Sequence, residues 1–201
     1  MLAYGSSDGT LTFSDAKSGA TLATAPHAYA GSLFQIAFSP NGKLVATAGK
    51  LSEADSIAPA AKIWNTASYK VEATPSGHTD LVLAAAFVSD GRTLVTCGAD
   101  EAIKFWDTTT WRETAPSLSQ KDYPSALAIS PNGRSLATTC ADGTMKLWNL
   151  ATHREVTSLV IGGDAMRIAF SPDGQTLAVW TWTGSLRLWR APLLDKKPFL
   201  Q

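Results

Sequence analysis

His78, Thr96 and Asp100 are the residue types from which a nucleophilic hydrolase is built: a hydroxyl to attack, an imidazole to take its proton, a carboxylate to orient the ring. Few other groups in the chain invite chemistry. His153, in Ala-Thr-His-Arg, reads as an exposed turn residue. The two cysteines, Cys97 and Cys140, are too few for a disulfide framework or a cysteine-rich zinc site, and read as buried free thiols. The sequence carries no P-loop, no His-Glu-x-x-His and no dinucleotide fingerprint. Whether the His-Thr-Asp set is catalytic therefore depends on the elements that carry it.

Those elements repeat. Trp64, Trp106, Trp148 and Trp189 lie 42, 42 and 41 residues apart, and each closes one short phrase: Ala-Lys-Ile-Trp-Asn, Ile-Lys-Phe-Trp-Asp, Met-Lys-Leu-Trp-Asn, Leu-Arg-Leu-Trp-Arg. A second phrase keeps the same beat, with Phe38-Ser-Pro-Asn-Gly42, Phe87-Val-Ser-Asp-Gly91, Ile129-Ser-Pro-Asn-Gly133 and Phe170-Ser-Pro-Asp-Gly174. The one long interval holds an insertion at about Lys50 to Ala60. Within a unit, Leu83–Phe87 is a small apolar run suited to an enclosed strand, followed by a turn in which proline presets φ and glycine supplies a positive one. Leu94–Gly98 is a second strand, Ala102–Asp107 an alternating third, and a weaker fourth is expected near Arg112–Ala115. No segment sustains a helical period. The fold class is all-β.

With period and phrases in place, the chain resembles the WD-repeat β-propeller family over nearly its whole length, as about four and a half repeats. The best copy has Gly77-His78, then Asp100, then Trp106-Asp107. The resemblance implies four-stranded antiparallel blades around a central channel. Blades are expected at about 2–25 (partial), 33–74, 82–116, 125–160 and 166–201, in a single propeller segment. It also implies a linkage across each blade in which Asp orients His, His meets a hydroxyl, and the hydroxyl accepts an indole N–H. Residue by residue, this gives His78, Thr96, Asp100 and Trp106; then Thr138, Asp142 and Trp148, with Gln120 at the His position; then Thr47 and Trp64, with His27 two places from the expected slot; and Trp189 alone, beside Val179 and Thr183. On this reading His78, Thr96 and Asp100 are architecture. No catalytic residue, metal ligand or cofactor is expected, and the chain is read as not an enzyme.

The chain begins inside a blade, because Leu2-Ala-Tyr-Gly-Ser-Ser-Asp-Gly9 matches Leu136-Ala-Thr-Thr-Cys-Ala-Asp-Gly143, which puts Ser14 at a tryptophan position. About five blades without an innermost first strand would not close a ring as most family members do with seven. The preferred expectation is an open arc or fragment of a larger, seven-bladed ring, completed by missing blades; the alternative is a small protein whose open ends pair with another chain.

Composition narrows the partners. The 201 residues hold 17 Lys+Arg and 17 Asp+Glu, so the net charge is zero and only 17% of residues are charged. Neither nucleic acid nor an anionic membrane surface suits such a balance. No apolar run approaches the roughly 18–20 residues that span a bilayer, and Met-Leu-Ala-Tyr-Gly-Ser-Ser-Asp lacks the regions of a signal peptide, so a cytoplasmic location is expected. Other proteins or peptides are the expected partners, docking on the propeller's top face. By alignment that face includes Phe34, Leu81, Leu83, Tyr123, Asp164 and Met166, with Trp182 where other units carry a small residue. Two alternatives stand beside this scaffold reading: a ligand- or cation-binding or enzymatic propeller using the channel, with Asp55, Asp80, Asp122 and Asp164 near its mouth, and a purely structural segment of a larger protein. The 50–60 insertion is read equally as a binding loop or a tolerated one.

Overall fold

A computed structural model describes residues 1–49 and 61–190. Within them, eighteen strands form five antiparallel sheets. Sheet I holds β1 (Leu2–Gly5), β2 (Leu11–Ser14) and β3 (Thr21–Ala25). Sheet II holds β4 (Leu33–Phe38), β5 (Leu44–Gly49), β6 (Lys62–Asn65) and β7 (Val71–Ala73). Sheet III holds β8 (Val82–Phe87), β9 (Thr93–Gly98), β10 (Ala102–Asp107) and β11 (Leu118–Ser119). Sheet IV holds β12 (Pro124–Ile129), β13 (Ser135–Cys140), β14 (Thr144–Asn149) and β15 (Arg154–Val160). Sheet V holds β16 (Ala165–Phe170), β17 (Thr176–Thr181) and β18 (Leu186–Arg190). In each sheet sequential strands are neighbours. The chain divides into two compact units, Met1–Tyr123 with sheets I to III and Pro124–Gln201 with sheets IV and V.

The Ser-Pro-Asn-Gly phrase makes the first hairpin of each repeat. In sheet II, Ser39 N–H donates to Leu44 O at 2.9 Å and Gly42 N–H to Ser39 O at 2.8 Å, closing the turn. Gly42 reaches this geometry at φ 68°, a left-handed conformation that glycine adopts without a Cβ clash. The Trp-Asp or Trp-Asn phrase makes the third hairpin. Asp107 Oδ1 accepts the N–H groups of Thr110 and Thr109 at 2.7 and 2.9 Å, which lowers the carboxyl pKa. Five residues after the tryptophan the chain turns left-handed, at Tyr69, Trp111 and His153; Gly19 takes the same place after Ser14. That recurrence puts Ser14 structurally in the tryptophan slot.

One expected strand is displaced. The fourth strand of sheet III is Leu118–Ser119, paired with Ile103 and Ala102, rather than Arg112–Ala115. Near the expected place there is a bridge from Glu113 to Trp106, with bonds from Asp107 N–H to Arg112 O and from Thr114 N–H to Phe105 O, both at 2.9 Å. Pro116 then follows, with no N–H for the ladder, and pairing resumes two residues later. The insertion at about 50–60 and the tail from 191 lie outside the described residues.

Sheets stack by unlike faces. In the first unit, Leu11 and Phe13 of sheet I pack on Val45 and Trp64 of sheet II, and Ala46 and Ile63 of sheet II pack on Ala85, Phe87, Leu94 and Trp106 of sheet III. In the second unit, Ala126, Ala137 and Met145 of sheet IV pack on Ile168, Leu177 and Val179 of sheet V, with Trp189 against the same cluster. Each of these three junctions thus sets a face without a tryptophan against a face bearing the repeat tryptophan. The alternation along each strand makes this possible, since successive side chains point to opposite faces. Each large side chain buried there contributes about 1.5–3 kcal/mol.

Candidate functional site

His78 enters sheet III from the segment before β8, Thr96 lies in the middle of β9, Asp100 in the β9–β10 turn and Trp106 near the end of β10. The fold joins all four. Asp100 carboxylate oxygens lie 2.9 Å from His78 Nδ1, His78 Nε2 lies 2.7 Å from Thr96 Oγ1, and Trp106 Nε1 donates to the same Oγ1 at 2.8 Å. One proton arrangement serves every group: Nδ1–H donates to Asp100, Thr96 donates to Nε2, and the indole donates to Thr96. The imidazole is then neutral. Burial pushes its pKa down, outweighing the contrary pull of Asp100. Burial works to raise Asp100, but bonds from Thr79 N–H and His78 prevail and leave it below the usual carboxylate range. The His78–Asp100 contact is therefore a hydrogen bond to a carboxylate, not an ion pair.

This geometry does not suit acyl transfer. The Thr96 hydroxyl is 1% exposed and His78 3%, and the hydroxyl is occupied by ring and indole together. A nucleophile needs room for a substrate carbon and an oxyanion site, and neither opens here. Gly5-Ser-Ser-Asp-Gly9 satisfies the letter of Gly-x-Ser-x-Gly, yet it spans a β1–β2 hairpin, with Gly9 N–H donating to Ser6 O at 3.1 Å. The hydrolase elbow requires a strand leading into a helix. Among the described residues no three His, Cys, Asp or Glu side chains gather to hold a metal ion.

Elsewhere the network is varied. In sheet II, Trp64 Nε1 donates to Thr47 Oγ1 at 2.9 Å, but the group over the threonine is Tyr29 and not His27. Tyr29 is buried, its hydroxyl 2.9 Å from Thr47 Oγ1; it donates to Thr47 O at 2.7 Å and accepts Lys62 N–H at 3.2 Å. His27 is exposed in a left-handed turn. The sequence held the signal: His78, Gln120 and Tyr29 each precede their repeat's threonine by the same interval. In sheet IV, Trp148 Nε1 donates to Thr138 Oγ1 at 2.9 Å, while Asp142 caps its own turn by accepting Thr144 N–H at 2.9 Å. Gln120 is fully buried in the first unit. In sheet V, Val179 offers Trp189 no hydroxyl, and Ile161, also buried, stands at the His position. Thr183 turns to Thr181, with the hydroxyl oxygens 2.8 Å apart.

The partner-binding candidates fall on two kinds of connection. Leu81 leads into β8, and its carbonyl accepts the N–H of Ala99, in the β9–β10 turn, at 2.8 Å. Asp164 leads into β16, and its carbonyl accepts the N–H of Trp182, in the β17–β18 turn, at 3.0 Å. The equivalent bond thus pins each loop pair together and sets Trp182 beside Asp164. Trp182 is 70% exposed and Tyr123 44%. Asp164 is exposed, whereas Phe34, Leu81, Leu83 and Met166 are half-buried in strand or strand-entry positions. Asp80 and Asp122 are exposed; Asp55 lies outside the described residues.

No curated protein matches the chain. Two stretches, residues 69–107 and 117–149, match the family described as WD domain, G-beta repeat. The first spans the complete His78–Thr96–Asp100–Trp106 network and the second spans Thr138 and Trp148. Repeat period, five antiparallel sheets and family match agree, and residues 69–107 and 117–149 are WD repeats.

Proposed function

We propose that this chain is a non-catalytic scaffold that captures other proteins or peptides on the loops entering its first strands and joining its second to third strands. WD repeats generally mediate protein–protein interaction and are typically not enzymes. The observation that carries the reading is Trp182: a large aromatic, 70% exposed, held by a backbone bond beside the exposed Asp164. An exposed indole on a turn pinned to the segment that carries Asp164 suits a peptide with an apolar anchor and a neighbouring basic residue.

Selection of a random peptide library on the intact chain tests this directly. Enriched peptides should pair an aliphatic or aromatic residue with Lys or Arg, and should lose binding at least tenfold to the Trp182→Ala variant while its unfolding midpoint stays unchanged. Peptides that bind the variant equally well would move the site elsewhere. A thermal-shift screen against metals and metabolites covers the small-ligand alternative, since a stabilising hit there with no peptide enrichment would replace the scaffold reading.

A further inference from the structure

We propose that Asn41-Gly42 and Asn132-Gly133 are latched deamidation sites, at which opening of the first hairpin of sheet II or sheet IV converts a side-chain amide irreversibly to a carboxylate. One turn occurs in four copies. Gly42, Gly91, Gly133 and Gly174 share a left-handed φ of 68°, 69°, 68° and 70°. Each donates its N–H at 2.8 Å to the carbonyl of the residue that opens the turn, Ser39, Val88, Ser130 or Ser171. The residue before the glycine is Asn41 or Asn132 in two copies and Asp90 or Asp173 in the others.

Asparagine followed by glycine is reactive because glycine, lacking a Cβ, lets its nitrogen swing onto the preceding side chain. The Gly42 nitrogen attacks Asn41 Cγ and loses its proton, the Cγ–Nδ2 bond breaks, and the amide nitrogen leaves as ammonia. Water then opens the cyclic imide at either carbonyl, giving aspartate or its iso form. The turn holds one half of this reaction ready and withholds the other. Asn41 Oδ1 accepts the Ser39 hydroxyl at 2.8 Å and Lys43 N–H at 3.0 Å. Asn132 Oδ1 accepts the Ser130 hydroxyl at 2.7 Å and Arg134 N–H at 3.0 Å. Such donors polarise the carbonyl that is attacked. The nucleophile, however, is tied elsewhere: Gly42 N–H is held by Ser39 O and Gly133 N–H by Ser130 O. Neither nitrogen can turn onto its neighbour's Cγ until that bond breaks. Both asparagines are exposed, so water and base reach them once it does.

The acid product already has a place in this fold. Asp173 Oδ1 accepts the Ser171 hydroxyl and Gln175 N–H, the same two donors that the asparagines receive, and they hold its carboxyl pKa below the usual value. Asp90 accepts Arg92 N–H at 2.8 Å, although Val88 offers no hydroxyl there. Conversion to aspartate therefore leaves the hairpin standing and adds a negative charge to a chain whose net charge is zero. An opening of the hairpin is thereby recorded as a permanent charge. This inference uses none of the residues of the loop surface proposed above.

Peptide mapping by mass spectrometry, on the intact chain held in mildly alkaline buffer with and without unfolding urea, tests it. Asn41 and Asn132 should convert at least tenfold faster in urea, where the turn bonds are gone. Asn65 and Asn149, followed by Thr66 and Leu150, are the slow internal references in both conditions. N41D/N132D, which carries the aspartate product at both sites, should unfold at the wild-type urea midpoint. A ratio below tenfold at either site, no conversion in urea, or a lowered midpoint of the double variant would each overturn the proposal.

Discussion

The hydroxyl of Tyr29 stands 2.9 Å from Thr47 Oγ1, in the place that His78 Nε2 takes, at 2.7 Å, over Thr96. A phenol and an imidazole thus solve one problem, which is to satisfy a buried threonine that already accepts an indole N–H. The phenol does more locally, since it also satisfies Lys62 N–H and Thr47 O. Burial raises its pKa, so it is a neutral donor at neutral pH. Tyr29→Phe leaves those groups unpaired in a dry site and should cost about 1–3 kcal/mol. Urea unfolding, with the change in midpoint at constant slope, measures it.

His78 should make the fold sensitive to mild acid. In the unfolded chain it takes up a proton as pH falls through about 6.5, while burial keeps it neutral to lower pH in the folded state. Its contribution is therefore complete above that pH and is lost as pH drops towards the folded value, with a limiting slope of about 1.4 kcal/mol per pH unit. Asp100, held below its usual range, acts in the same direction lower down, its stabilisation being present above about pH 4 and lost beneath. His78→Gln should flatten the decline that begins below about pH 6.5. Stability measured across pH for both proteins decides, and an unchanged slope would assign the acid sensitivity elsewhere.

Ser14 fills a tryptophan slot with a hydroxyl that is buried and has no hydrogen-bond partner. An orphaned buried hydroxyl costs about 1–3 kcal/mol. Ser14→Ala should therefore raise stability by about 1 kcal/mol, visible as a higher thermal midpoint. A drop would mean that the hydroxyl finds a partner in solution.

Gly98 closes β9 beneath the network. A Cβ there would sit 2.7 Å from Leu81 O, 2.9 Å from Asp100 Oδ1 and 3.0 Å from His78 Nδ1. Two of these atoms form the network's own bond and the third joins Leu81 to Ala99. Gly98→Ala should destabilise by roughly 1–3 kcal/mol and weaken the His78–Asp100 contact, which the His78 side-chain NMR signals would report. An unperturbed spectrum would show that the loop can yield.

Much of the fold was legible in the sequence, because its determinants are local. A strand alternates with period two, a Ser-Pro-Asn-Gly turn satisfies itself, and a tryptophan every forty-odd residues announces a unit that repeats. The His78 linkage was legible for the same reason, since its four members keep a fixed place in one unit. What failed was position wherever a substitution or a proline disturbed the template. Tyr29 was passed over because a histidine lay two residues away, and Pro116 moved the last strand of sheet III to Leu118–Ser119.

Sequence by itself determined that this chain is a repeat of β sheets bearing tryptophans. Tertiary structure decided which faces meet. Leu186 and Met145 occupy the same register in their sheets and differ little in hydrophobicity, yet one is open and the other sealed. Burial belongs to the neighbour as much as to the residue, and a pattern along the chain cannot show whether a neighbour is there.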